Sequence, residues 1–362
     1  MARYFCGSKP MNNNFWKGKK VLVTGGTGFL GKYMVEALCK AGAEVLAIDF
    51  RKPAWEIIGF DFREADIRDK EKVRDACRGM EVVFHLAAIP SIARAKRTIY
   101  HDINVEGTRN VLEGALDHKV HKFLHVSSST VYGIPDEFPL SEKSPVHPLG
   151  KYGRSKLAAE DACREAVLRG LSVSIIRPRV IMGAGRIGIF SILFDRVRRN
   201  KPIYIIGKGT NAFQFTNVSD MVEACIAAAE RRQSDLFNIG SEEILPVKEE
   251  LAGLIRHAGS CSKVVSVAPW LARAGLKILS YAGISPLVDE QFSIADKNFK
   301  LDTTHAREVL GWRPRYSNLE SLIQAYDWYV GNIKEEGGQY RNILGVLGRF
   351  KHSQMGGFQK QP

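Results

Sequence analysis

The chain has 362 residues, 45% of them hydrophobic, which is enough for one large domain or two moderate ones and excludes a disordered or collagen-like protein. Its net charge of +13 is spread along the chain without an aromatic-interleaved basic strip, so nucleic acid is not expected as a partner. The six scattered cysteines form no CxxC pair, which argues against a disulfide framework and favours a reducing cytoplasm.

The two ends of the chain differ in composition from its centre. Residues 1–17 are polar and rich in Asn, without the apolar stretch of a secretory signal, and are predicted to be an N-terminal extension. Residues 335–362 mix Gly, Gln, Lys and Arg without periodicity, and we expect a flexible basic tail. The longest apolar run, 264–288, is interrupted by Arg273 and Lys277, so no membrane-spanning helix is predicted.

From residue 20 onward, short β-branched runs alternate with amphipathic stretches, as in βαβ units with a parallel sheet. The fold class predicted is α/β, a doubly wound parallel Rossmann sheet of six or seven strands with a smaller, mixed C-terminal substrate-binding region. Strands are predicted at 21–23, 44–48, 82–86, 123–126, 173–176 and 236–239, with helices at about 29–40, 70–77, 105–116, 152–168 and 221–230. The dinucleotide-binding domain is assigned to 18–182 and 213–242, and the substrate-binding region to 183–212 and 243–334.

A glycine loop follows the first predicted strand. Gly25 would allow a tight turn, Gly28 would let the backbone approach a pyrophosphate, and Gly31 would let the helix pack on the strand. Asp49 ends the next predicted strand, where an acid accepts hydrogen bonds from the adenosine ribose and repels a 2′-phosphate. Because Arg51 lies nearby, the sequence predicts NAD as the cofactor and leaves NADP open.

The residues expected to carry the chemistry lie downstream of this loop. Ser127, Ser128 and Ser129 follow a strand at the carboxyl edge of the sheet, where open α/β folds bind ligands. Tyr152 and Lys156 stand four residues apart on a predicted helix and therefore share a face. An ammonium beside a phenol favours the phenolate, so Tyr152 can exchange a proton with a substrate hydroxyl while Ser128 bonds the reacting oxygen.

Several motifs together resemble the extended short-chain dehydrogenase/reductases of the NAD-dependent epimerase/dehydratase superfamily. The resemblance covers roughly residues 19–329 and rests on TGGTGFLG (24–31), HLAA (85–88), NVEGTRNVLEGA (104–115), SSSTVYG (127–133), YGRSK (152–156) and LGWRP (310–314). It implies that Asp66 and Ile67 touch the adenine, that Lys156 also bonds the nicotinamide ribose, and that helices 105–116 and 152–168 form a homodimer seam. The expected cofactor contacts are Gly25, Thr27, Gly28, Phe29, Leu30, Gly31, Asp49, Asp66, Ile67, Leu86, Ala87, Ala88, Asn104, Tyr152, Lys156 and Pro178.

Two branches of this superfamily, which act on different substrates, are compared with this sequence. Nucleotide-sugar enzymes often carry an Arg where this chain has Phe213, and an Asn where it has Val180, while residues 207–218 resemble the sterol-type sequences. The first hypothesis is therefore 3β-hydroxysteroid dehydrogenase-like oxidation of a secondary alcohol, or reduction of the ketone, on a bulky substrate. The alternative is a nucleotide-sugar epimerase or dehydratase with tightly bound NAD, in which the absent Arg is replaced by one of Arg177, Arg179, Arg186 and Lys208.

The stretch 271–283 is amphipathic and is expected to pack on its own domain, with a peripheral membrane contact or a cap over an apolar pocket as alternatives.

His85, His101 and His125 have no ligand-spaced partners, so they are expected to be structural and no metal site is predicted. A binding module without catalysis would be signalled by loss of Tyr152 or Lys156, and both are present.

Overall fold

The computed structural model describes residues 13–53, 55, 59–93, 95–134, 137–186, 188–281 and 289–332. Most of the predicted N-terminal extension, and all of the predicted tail at 335–362, lie outside the described residues.

The core of the molecule is a parallel β-sheet. The strands are β1 (Lys20–Thr24), β2 (Glu44–Asp49), β3 (Phe60–Glu64), β4 (Val82–His85), β5 (Lys122–Val126), β6 (Val173–Pro178), β7 (Val180–Met182), β8 (Ile203–Ile206), β9 (Phe215–Asn217), β10 (Asp235–Ile239) and β11 (Val264–Val267). Within the described residues, seven of them pair in parallel in the order β10-β6-β5-β4-β1-β2-β3. The predicted Rossmann sheet is confirmed, and sequential strands wind outward in both directions from β1.

Helices cover both faces of this sheet. The α-helices of the described residues are α1 (Asn13–Trp16), α2 (Phe29–Lys40), α3 (Lys70–Ala76), α4 (Arg97–His101), α5 (Gly107–Asp117), α6 (Lys151–Leu168), α7 (Phe190–Arg198), α8 (Val218–Ala229), α9 (Val247–His257), α10 (Pro269–Tyr281), α11 (Asp289–Ile294), α12 (Thr304–Leu310) and α13 (Asn318–Asn332). One core joins α2 and α8 to the sheet through Met34 and Met221, and the other joins α5 and α6 through Val111 and Ala162. Because both faces are covered, all four residues of β4 are buried.

Strand β3 of the main sheet was not predicted from the sequence. Its residues alternate between half-buried and exposed positions, and the strand ends the sheet with β2 as its neighbour. An edge strand of this kind lacks the continuous apolar run by which central parallel strands are recognised. The helix predicted at 105–116 begins instead with a π-helical turn at Asp102–Glu106, which leads into α5.

A second, smaller core lies beyond the carboxyl end of β6. Here β7 pairs with β9, β8 pairs with β11, and α7, α9 and α13 enclose Phe194, Phe215 and Tyr326. The register of the first pair aligns Val180 with Phe215. Strand β10 then returns to the main sheet, so the chain crosses between the two cores more than once.

Most of the amphipathic stretch lies in α10, and three large apolar side chains of this helix are exposed. Trp270 is 71% exposed, Leu271 52% and Ile278 69%. The expected packing of this apolar side on its own domain is therefore not observed for these side chains, and residues 282–283 of the predicted stretch lie outside the described part. No helix in the described ranges is long and apolar enough to cross a membrane.

Candidate active site

The glycine loop joins the end of β1 to the start of α2. Gly25 has a φ of +70°, and a Cβ there would come within 2.7 Å of the Ala87 backbone nitrogen. A Cβ on Gly31 would come within 2.2 Å of the Gly25 carbonyl oxygen, so the helix approaches the loop as closely as glycine permits. Gly28 caps α2 without a side-chain hydrogen bond. No side chain at the cap therefore accepts hydrogen bonds from the backbone N–H groups in the first turn of α2. These N–H groups are the donors that a pyrophosphate requires.

Asp49 lies beside this loop, as predicted from its place at the end of β2. Its Oδ2 accepts a hydrogen bond from the Thr27 backbone N–H at 3.2 Å, and its Oδ1 accepts one from the Phe50 N–H at 2.8 Å. Burial raises the pKa of the Asp49 carboxyl. The acid is thus held next to the turn that would carry the adenosine end of a dinucleotide.

The other predicted cofactor contacts line the same edge of the sheet. Leu86 and Ala87 donate their backbone N–H groups to the Thr24 carbonyl at 3.1 Å and the Thr24 Oγ at 3.3 Å, so the segment after β4 runs along the loop. The Asn104 amide donates to Ser155 Oγ at 2.9 Å and accepts from the Ile89 N–H at 2.8 Å, which ties this segment to α6.

Asp66 and Ile67 follow β3 at the far side of the loop. The Asp66 carboxylate accepts hydrogen bonds from the Arg68 guanidinium, with Nε at 3.0 Å. Ile67 is buried against Gly107, where an added Cβ would lie 2.6 Å from its Cδ1. Pro178 closes β6 opposite Ile239.

The three consecutive serines have different surroundings. The Ser127 hydroxyl donates to the buried Glu160 carboxylate at 2.5 Å, and Ser129 is only 1% exposed. Ser128 is half-buried, and its Oγ accepts hydrogen bonds from the Thr130 backbone N–H at 3.2 Å and the Thr130 hydroxyl at 3.0 Å. Since both bonds use the Ser128 lone pairs, its own O–H remains able to donate to a substrate oxygen.

Tyr152 and Lys156 lie in the first turns of α6, which begins at Lys151 after an extended Gly150. The Tyr152 ring packs edge-on against Tyr100, with ring centroids 6.2 Å apart. Lys156 is 2% exposed, and burial lowers its pKa to about 8. Its charge is thereby placed in a desolvated position one helical turn from the phenol, where it acts more strongly than in water.

His125 was expected to be structural, and the structure places it in contact with Lys156. Its Nε2 lies 3.3 Å from the Lys156 Nζ. Burial first, and then the charge of Lys156, lowers the pKa of His125 well below its ordinary value, so the neutral ring accepts a hydrogen bond from the ammonium. The sequence carried no signal for this contact, because the two residues lie on different elements.

The four basic residues considered as replacements for the absent Arg have different roles. Arg177 is fully engaged, since Nε and Nη2 donate to Glu160 at 2.8 and 2.6 Å and Nη1 donates to the Tyr132 hydroxyl at 2.9 Å. Lys208 is exposed. Arg179 and Arg186 both carry buried nitrogens without a hydrogen-bond partner in the described residues.

Arg186 lies close to the start of α2 and to Tyr152. Its guanidinium is 5.6 Å from the centroid of the Phe29 ring in the first turn of α2, and its charge interacts with Tyr152. Its loop is fixed to α2 by a hydrogen bond from the Tyr33 hydroxyl to the Ala184 carbonyl at 2.7 Å.

Taken together, the sheet order, the glycine loop and the Tyr152–Lys156 helix define an extended short-chain dehydrogenase/reductase. The chain belongs to the NAD dependent epimerase/dehydratase family, whose profile matches residues 21–240. The family expected from the sequence motifs is therefore confirmed.

Two relatives align with most of this chain. An uncharacterized protein y4nG of Sinorhizobium fredii is 35% identical over 315 residues, covering 87% of this chain and 79% of the relative. The mouse sterol-4-alpha-carboxylate 3-dehydrogenase (decarboxylating) is 28% identical over 341 residues, covering 86% of this chain and 91% of the relative.

Solved structures of nucleotide-sugar enzymes share the fold. The UDP-glucose 4-epimerase of Thermotoga maritima with UDP-glucose has a TM-score of 0.73 at 26% identity, covering 87% of this chain and all of the other. MoeE5 in complex with UDP-glucuronic acid and NAD has a TM-score of 0.71 at 28% identity, with the same coverage.

Proposed function

We propose that this protein is an NAD-dependent oxidoreductase that oxidises a secondary alcohol on a bulky substrate, or reduces the corresponding ketone. The observation that carries the proposal is that Tyr152, buried Lys156 and half-buried Ser128 stand at the carboxyl edge of the sheet that also carries the glycine loop. Their roles are complementary, which a chance occurrence of a single motif would not provide.

The residues fit a dinucleotide. The uncapped first turn of α2 would hold the pyrophosphate, and the Asp49 carboxylate would accept a hydrogen bond from the adenosine ribose. The hydride acceptor or donor is NAD when it is bound. Asp49 supports NAD over NADP because a carboxylate repels a 2′-phosphate.

Each catalytic residue has a distinct part in the proton chemistry. Tyr152 takes the proton of the substrate hydroxyl during oxidation and returns it during reduction. The Lys156 ammonium favours the phenolate form of Tyr152, and its contact with neutral His125 fixes its position. Ser128 donates its O–H to the reacting oxygen, while Ser127 is committed to Glu160.

For the substrate class we propose a nucleotide sugar. Solved relatives are bound to UDP-glucose and UDP-glucuronic acid, and the unpartnered nitrogens of Arg179 and Arg186 favour an anionic molecule. A sterol-type substrate is the second candidate. It is favoured by Phe213, which stands where nucleotide-sugar enzymes often carry an Arg, and by the similarity to the mouse sterol enzyme.

We also propose a homodimer and the two-part organisation predicted from the sequence. Helices α5 and α6 pack side by side, joined by an ion pair between Arg109 and Glu165 at 2.6 Å, and Leu168 at the end of α6 is 89% exposed. In this proposal the residues of the second core, around Phe194 and Tyr326, form the substrate-binding part.

The test is a screen of the purified protein with sterols and UDP-sugars, read by absorbance of the reduced nicotinamide, after mass spectrometry of any bound nucleotide. Sugar conversion with retained NAD and no accumulating NADH would support an epimerase or dehydratase. NADH produced from a hydrophobic secondary alcohol would instead support the sterol-type dehydrogenase. Conversion of neither class under both conditions would contradict the proposal.

A further inference from the structure

Arg179 is a buried cation. It is 4% exposed, and within the part of the chain that the structure describes neither its Nε nor its Nη2 has a hydrogen-bond partner. No carboxylate in the described ranges forms an ion pair with it. Its guanidinium lies between two aromatic rings, 4.4 Å from the centroid of Phe213 and 4.0 Å from that of Phe299.

The position of Arg179 in the fold is that of a ligand-binding residue. It directly follows β6, whose carboxyl end opens onto the same edge of the sheet as the glycine loop. The next residue, Val180, pairs with Phe215 of β9, and Arg179 contacts Phe213, which lies two residues before β9. A positive charge therefore lies beside Phe213, the position at which nucleotide-sugar enzymes often carry an Arg.

The contrast with Arg177, two residues earlier, shows what a purely structural arginine looks like in this molecule. Arg177 is equally buried, but all three of its nitrogens have partners, in Glu160 and the Tyr132 hydroxyl. Leaving a buried charge unpaired is costly, and ring stacking repays only part of that cost. Buried donors that lack a partner in the described residues are suited to a ligand that brings its own negative charge.

We infer that the Arg179 guanidinium, stacked between Phe213 and Phe299, is the anion-binding group of the substrate site and holds a phosphate or carboxylate of the substrate. The inference deepens the proposed function and rests on its assignment of the substrate to this edge of the sheet. The guanidinium carbon lies within 4.4 Å of both ring centroids, and Nε and Nη2, both buried and without a hydrogen-bond partner in the described residues, are the two donors that would bond the two oxygens of one oxyanion.

The test measures binding without turnover. Isothermal titration calorimetry would follow UDP, and separately a 4α-carboxysterol in detergent micelles, binding to the full chain saturated with NAD. The variants are Arg179→Met, which keeps the stem and removes the charge, Arg179→Lys, which keeps the charge and loses the paired donors, and the control Arg232→Met, an exposed arginine before the amino end of β10. NAD affinity is measured for every variant.

We expect Arg179→Met to weaken one of the two ligands at least tenfold, the usual effect of losing a charged hydrogen bond, with Arg179→Lys in between. NAD affinity and the control should be unchanged. A loss confined to UDP identifies a phosphate, and a loss confined to the carboxysterol identifies a carboxylate. If both affinities stay within twofold in Arg179→Met, or neither ligand binds the wild type, the inference is overturned.

Two measurements distinguish anion binding by Arg179 from the proposed redox reaction and from a packing role of this side chain. UDP lacks the hexose that would be oxidised, so its binding does not depend on the chemistry of Tyr152, and a failure of the proposed redox reaction leaves the titration interpretable. Without ligand, Arg179→Met should unfold at a temperature no lower than the wild type, since it removes an uncompensated buried charge. Lower stability with unchanged affinity would assign Arg179 to packing alone and contradict the inference.

Discussion

The guanidinium of Arg177 and the carboxylate of Glu160 form a bidentate ion pair that joins β6 to α6, with N–O distances of 2.8 and 2.6 Å. Both side chains are almost fully buried. The Glu160 carboxylate also accepts a hydrogen bond from the Ser127 hydroxyl. The helix that carries Tyr152 and Lys156 is therefore fixed to the strand ends that form the site.

Replacing Glu160 with Ala should lower the free energy of unfolding by about 3–5 kcal/mol, because it leaves the Arg177 charge buried without its counter-ion. Urea denaturation measures the change. The matched control is Asp161→Ala, which removes the next carboxylate on α6, an exposed partner of Arg164, and should cost less than about 1 kcal/mol. Similar losses in the two variants would show that the buried pair does not hold α6 in place.

Replacing Tyr152 with Phe removes only the hydroxyl that exchanges the proton. Turnover should fall by about two orders of magnitude or more, the usual contribution of general acid–base catalysis. NAD affinity should be retained, since the glycine loop and Asp49 are untouched. Steady-state rates and NAD titration provide the measurement, with Tyr204→Phe as a control on an exposed tyrosine. Unchanged turnover in Tyr152→Phe would refute its assigned role.

Lys156 should make stability depend on pH in a defined window. Burial lowers its pKa to about 8 from an ordinary value of 10.5. Between these two values the unfolded chain binds more protons than the native one, so the stability contributed by this group rises with pH. Lys156→Met, which has no charge to bury, should therefore be more stable than the wild type below pH 8, and its advantage should shrink as the pH approaches 10.5.

Urea denaturation at pH 7, 9 and 10.5 would measure this difference, with Lys151→Met as the control at an exposed position on the same helix. A difference between wild type and Lys156→Met that is constant across this range would contradict the burial of a charged Lys156.

Asp49 should control the choice between NAD and NADP. In Asp49→Asn the side chain can no longer repel a 2′-phosphate, and Arg51 lies two residues away, so the ratio of NADP to NAD affinity should rise at least tenfold. Fluorescence titration of both cofactors measures the ratio. Glu64→Gln, at the end of the neighbouring strand β3, serves as the control. An unchanged ratio in Asp49→Asn would show that another group distinguishes the 2′-hydroxyl of NAD from the 2′-phosphate of NADP.

The elements that the sequence predicted correctly are those with a short-range pattern: the buried parallel strands appear as apolar runs, and the glycine loop joins a strand to a helix. The roles assigned to Asp49, Tyr152 and Lys156 also depend on residues within a few positions of one another, and they stay predictions. Strand β3 was missed because its half-exposed residues carry no such pattern. The sequence predicted the amphipathic pattern of α10, but it could not predict what the apolar side of this helix contacts. In the structure Leu271 and Ile278 are exposed.

The sequence by itself determined the family and the glycine loop and predicted the Tyr152–Lys156 pair, because these are properties of consecutive residues on single elements. The tertiary structure alone decided which arginine is ion-paired and which has nitrogens without a hydrogen-bond partner in the described residues. Arg177 and Arg179 are two residues apart and chemically identical, yet one meets Glu160 of α6 and the other meets Phe213 and Phe299 from distant parts of the chain. The role of a buried charge depends on what surrounds it, and only the folded chain brings those surroundings together.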